Sequence, residues 1–165
     1  MSQCIKCDKK AIDNADYCEE CQEKAFSRIG GVLYLPAISL VLSVVMLGVS
    51  VFSTARLLLD NYSVLPAIIT NMLSFELIGF FLLHILAIYT AFCFFTKRKK
   101  LPHLYISLIV CNLLFCLADM YLGYYYLDTR IDYESARPVI RSVVSACIWI
   151  PYFLVSKRVK GTFIH

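Results

Sequence analysis

Two apolar runs joined by four consecutive basic residues set what this chain can fold into. Leu77 to Phe95 is apolar except for His84 and Thr90, and Leu104 to Leu122 is almost as apolar. Lys97-Arg98-Lys99-Lys100 lies between them. Each run can cross a ~30 Å hydrocarbon layer as a helix of roughly 20 residues. Short loops rich in Lys and Arg resist export, so the basic loop is expected on the cytoplasmic side. That assignment fixes the side of every other segment.

Two further spans are expected around this hairpin. One begins at Val32, with Pro36 in its first turn, where a missing N–H does little harm. The other follows Pro138 and carries Pro151, which removes a backbone hydrogen bond and is expected to kink the helix. The four spans are placed at about 32–55, 72–96, 102–124 and 139–156. Leu65-Pro66-Ala67-Ile68-Ile69 is read as an interfacial part of an outer loop over 60–70, and Tyr124, Tyr125, Tyr126 and Tyr133 as an aromatic belt. The composition agrees, with 59% of residues hydrophobic and 17% charged, against ~25% in soluble domains. Twelve of the sixteen Lys and Arg residues fall on the expected inner side, which predicts four spans with both termini cytoplasmic.

Residues 1–28 differ from the membrane domain over 29–165. They are polar and Cys-rich rather than a cleavable apolar signal. Cys4-Ile-Lys-Cys7 and Cys18-Glu-Glu-Cys21 form two CxxC turns, each able to offer two thiolates to one metal. A segment this short cannot bury enough apolar surface to fold alone. One structural Zn²⁺ held by Cys4, Cys7, Cys18 and Cys21 is therefore expected, in a module resembling a small zinc ribbon. Its own charges sum to −1, or about −3 with four thiolates on one zinc, the wrong sign for phosphate binding. Nucleic acid is not an expected partner, whereas the bilayer and a protein partner or self-association are.

Ionisable groups inside spans are costly and each needs an account. At ~1.5 Å per residue, Asp119, Arg141 and Glu76 stand about 26, 24 and 30 Å above the inner ends of their spans. They either snorkel outwards or form a clamp in which Arg141 is held by Asp119 or Glu76. His84 and Asn112, about 20 and 16 Å deep by the same rise, are expected to bond to each other between helices. Cys93, Cys111, Cys116 and Cys147 act as small apolar residues. The serines read as scattered, and no Ser or Cys stands with a His and a carboxylate in triad order. No phosphate loop or dinucleotide fingerprint occurs, and an enzyme is not expected.

Three stretches carry a family resemblance. They are Gly31-Val32-Leu33-Tyr34-Leu35-Pro36, Phe75-Glu76, and the closing run from Ile148-Trp149-Ile150-Pro151-Tyr152-Phe153 to Gly161-Thr162-Phe163. Over residues 30–164 the chain resembles a bacterial membrane family known as domain of unknown function 2569. The resemblance implies a four-helix inner-membrane protein and supplies no mechanism. The resulting expectation is an accessory or scaffold protein whose ribbon and basic rim dock a partner. The alternative is a component of an oligomeric transporter or channel.

Overall fold

The computed structural model describes residues 4–7, 9, 11, 18, 20–21, 33–128, 132–156, 159 and 162. The expected Gly30-Gly31 break and the basic tail residues Lys157, Arg158 and Lys160 lie outside them. Four helices dominate: α1 (Tyr34–Asn61), α2 (Ala67–Phe95), α3 (Leu101–Leu127) and α4 (Tyr133–Val155). All four are long and apolar enough to cross a membrane. The expected all-α membrane fold is the observed one.

Helix ends follow local chemistry more than hydropathy. Pro66 caps α2, and both the N–H and the Oγ1 of Thr70 bond its carbonyl. The helix therefore starts at Ala67, about a turn earlier than the apolar run suggests, and the interfacial segment is partly its first turn. α2 stops in a left-handed cap at Lys97 (φ 53°). Lys97 N–H reaches Phe94 O at 3.2 Å and Arg98 N–H reaches Cys93 O at 3.0 Å, which together satisfy the orphan carbonyls. Asp132 caps α4 by accepting from Ser135 N–H at 2.9 Å, so that helix begins at Tyr133 rather than at Pro138. Pro138 and Pro151 both lie inside it.

Packing is uneven along the bundle. The fully buried side chains gather at the Lys97–Lys100 end: Leu33, Leu40, Phe94, Leu101, Phe153 and Val159. Tyr105 stacks on Phe153 there, with ring centroids 4.4 Å apart. Leu33 before α1 and Val159 after α4 thus share a core with the hairpin tip, as a four-span topology with an even number of crossings requires. Toward the far end the buried side chains of α1 and α4 are polar, Thr54 and Ser142. α1 packs on α2, α2 on α3, and α3 on α4, while α1 and α4 meet no more than marginally. The ring of helices is therefore open on one side. The lipid-facing surfaces carry exposed Leu, Ile, Val and Phe throughout, as a bilayer environment calls for.

At the far end, Phe115 of α3 lies against the bare backbone of Gly79 on α2, between Phe75 and Phe80. A Cβ at Gly79 would come within 2.8 Å of the Phe115 ring, so close approach of the two helices needs glycine there. Gly48 of α1 plays a milder version of this role for His84 of α2.

Candidate metal centre and polar intramembrane cleft

The first candidate site is built by the two CxxC turns. The Sγ atoms of Cys4, Cys7, Cys18 and Cys21 all lie within 4.8 Å of one another. Cys7 Sγ stands 3.3 Å from Cys18 Sγ and 3.5 Å from Cys21 Sγ. Metal–sulfur bonds of ~2.3 Å in a tetrahedron separate the sulfurs by about 3.8 Å, so the cluster is of the right size. Cys4 and Cys18 are buried. Lys9 grips both carboxylate oxygens of Glu20 at 2.8 Å, bracing one turn against the other.

Four thiols this close cannot all ionise without a cation among them. Burial alone would push the Cys4 thiol up, but backbone N–H groups of Cys18, Lys6 and Cys7 outweigh it and hold it at about 6. Cys21 is pushed up to about 12 by its bonds to Cys7 and Cys18. A divalent cation would relieve that repulsion, and the donor set fits one. The four cysteines singled out by spacing are thus brought together as expected.

The second candidate site was not legible in the same way. Where α1 and α4 fail to close, a polar cleft opens between α1, α3 and α4. Its wider part has a volume of about 640 Å³ and is lined by Asn112, Cys116, Arg137, Arg141, Ser142 and Ser145, among others. A narrower continuation of about 260 Å³ runs towards Tyr105 between Ser39, Ser43 and Ser50. Ser39, Ser43 and Ser50 fall within about 40° of one helix face, and Pro138, Arg141, Ser142 and Ser145 share a broader face of about 100°. Serines that read as scattered therefore form stripes, and their helical period was the available signal.

Four hydrogen bonds organise the cleft. The Tyr105 hydroxyl lies 3.0 Å from Ser39 Oγ, which itself donates to Pro36 O, and this closes the narrow end. Asn112 Nδ2 donates to Ser142 Oγ at 2.9 Å, and Ser142 Oγ donates to Cys116 Sγ at 3.8 Å. Asn112 is therefore bonded to α4 and not to His84, contrary to expectation. His84 shares its depth but faces α1 across Gly48, and its buried Nδ1 has no partner among the described residues.

The expected clamp is also absent. Glu76 and Asp119 are neighbours across α2 and α3, close enough to act on each other's charge. Ser142, not Arg141, is the α4 residue that faces α3; Arg141, about 100° further round, points into the open cleft. Among the described residues the α4 ion pair is Arg137–Glu134 at 3.7 Å, and Arg141 makes none.

A four-helix bundle of apolar, lipid-facing helices with a four-thiol module ahead of it defines a small multi-pass membrane protein. Residues 26–164 match the family described as "Protein of unknown function (DUF2569)", and the chain belongs to that family. The four cysteines precede the matched region. Neither the curated proteins nor the solved structures contain a match to the chain.

Proposed function

We propose that this is an accessory protein of the bacterial inner membrane, with both termini cytoplasmic, whose zinc-holding module and basic rim form a docking face for a protein partner. The observation that carries it is the convergence of four cysteine thiols within 4.8 Å on the stretch preceding the membrane domain. All four positions are thiolates, which leaves zinc no open coordination site, so the metal is structural and supplies shape rather than reactivity. Ile5 stands at the tip of the first CxxC turn with 74% of its surface exposed. An apolar side chain presented by a rigid, charge-rimmed turn is the kind of anchor a partner pocket takes. The cytoplasmic placement is supported by the basic loop, which lies at the same end of the bundle as Leu33 and Val159.

Recovery of the tagged protein from its own membranes tests this reading. A protein recovered with the wild type should be lost with Ile5→Asp, which leaves all four cysteines in place. Undiminished recovery by Ile5→Asp and by Cys7→Ser/Cys18→Ser would refute the docking face. The second reading, a component of an oligomeric transporter or channel, takes its support from the polar cleft. A closed ring in a mass measurement of the solubilised protein would favour it.

A further inference from the structure

We infer that the cleft between α1, α3 and α4 is a binding site for an anionic phospholipid, with the lipid phosphate at Arg141 and a hydroxylated headgroup against Ser145 and Asn112. Four observations converge on this. First, the opening between α1 and α4 faces sideways, so the cleft is reached from the lipid layer. Second, its narrow end is shut by the Ser39–Tyr105 contact and the Tyr105–Phe153 stack, so within one chain it is a blind pocket suited to holding a ligand.

Third, its charge is one-sided. Glu134 and Arg137 compensate each other, while Arg141 stands exposed in the lining without an ion pair among the described residues. Arg141 lies fourteen residues from Val155, about 21 Å along the helix, in the outer third of a ~30 Å hydrocarbon layer. Tyr133, two turns further on, is exposed where aromatic residues mark the interface. Lipid phosphates are the anions a long side chain meets when it extends outwards from that depth, and an arginine binds them through paired donors.

Fourth, the lining has unused hydrogen-bonding capacity. One N–H of the Asn112 amide is given to Ser142, while its Oδ1 and the Ser145 hydroxyl have no partner among the described residues. Hydrocarbon cannot satisfy them, and hydroxyls of a glycerol headgroup can. A volume of about 640 Å³ suits a headgroup with the start of its chains. Simple snorkelling of Arg141 would engage every phospholipid alike; a built site selects by headgroup.

Native mass spectrometry of the full chain released from detergent, with phosphatidylglycerol or phosphatidylcholine added, tests the site. One phosphatidylglycerol should be retained per chain, in preference to phosphatidylcholine by on the order of tenfold. Arg141→Gln should lose that preference, and Ser145→Leu, which fills the cleft with the charge intact, should lose the retained lipid. Arg56→Gln, distant on α1 and paired with Asp60, should behave as wild type. Equal retention of the two lipids would overturn the proposal, as would wild-type retention by Ser145→Leu. Displacement of the lipid by millimolar glycerol phosphate would also overturn it, by assigning the cleft to a soluble phosphate. Should Arg141→Gln fail to fold, Arg141→Lys must still bind phosphatidylglycerol and Ser145→Leu must still not.

Discussion

Glu76 of α2 and Asp119 of α3 are neighbours across the two helices, away from the buried core at the Lys97–Lys100 end. Two carboxyl groups placed side by side in a bilayer disfavour a second negative charge. Among the described residues neither of them forms an ion pair with a cation.

Glu76→Gln removes one of the two carboxyl groups and supplies an amide that can donate to Asp119, so it should melt at or above the wild type in detergent. Glu76→Ala leaves Asp119 half-buried without its partner and should melt lower. Polar contacts between membrane helices average only ~0.6 kcal/mol, so the shift is modest and the comparison between the two variants decides. Equal losses from both would mean that Asp119 draws no support from the side chain at position 76.

Gly79→Ala should be the most damaging single methyl in the bundle. The added Cβ meets the Phe115 ring, which is itself held between Phe75 and Phe80. Overpacking of this kind costs about 1–3 kcal/mol. Gly79→Ala/Phe115→Leu should recover part of the loss in a denaturation series. No recovery would mean that the ring is not what excludes the methyl.

Asp128→Gly should stabilise the protein. Asp128 holds a left-handed conformation (φ 50°) at the end of α3, with its N–H on Gly123 O. A non-glycine residue there costs on the order of 1 kcal/mol, and a carboxylate at a helix C-terminus opposes the dipole. The expected result is a higher melting temperature, and an unchanged or lower one would contradict it.

Asp132 gives a pH signature. Hydrogen bonds from the Ser135 backbone N–H and hydroxyl hold its carboxyl below the ordinary value. A carboxyl depressed in the folded state contributes stability that is present above its unfolded value of about 3.9 and is lost as pH falls through the folded one. Asp132→Ser keeps a capping oxygen that does not titrate. Relative to that variant, the wild type should lose stability between pH 5 and pH 3 while changing little from pH 7 to pH 5, estimated from about one unit either side of that value. A difference independent of pH would contradict the cap.

How much was legible follows from what each signal reports. The apolar runs and the basic loop disclosed four spans, because crossing a bilayer demands length and apolarity that composition displays directly. The CxxC spacing disclosed Cys4, Cys7, Cys18 and Cys21, because two ligands on one turn need that separation. Depth was also readable, since rise per residue is fixed. Azimuth was not. Arg141, Asp119 and Glu76 share a depth, and so do His84 and Asn112, yet which helix face meets which neighbour depends on the packing of all four helices. Helix starts at Ala67 and Tyr133 escaped hydropathy because capping by Pro66 and Asp132, rather than burial, sets them. The Ser39, Ser43 and Ser50 stripe was visible only to someone counting at a helical period.

Metal analysis of the purified full-length protein tests the central claim most directly. The account predicts one zinc per chain, held by the four thiols that lie within 4.8 Å of one another. It also predicts that Cys7→Ser/Cys18→Ser loses the zinc while the helical signal of the membrane domain is kept. Protein that is folded and free of zinc, or full retention of zinc by the double variant, would contradict it.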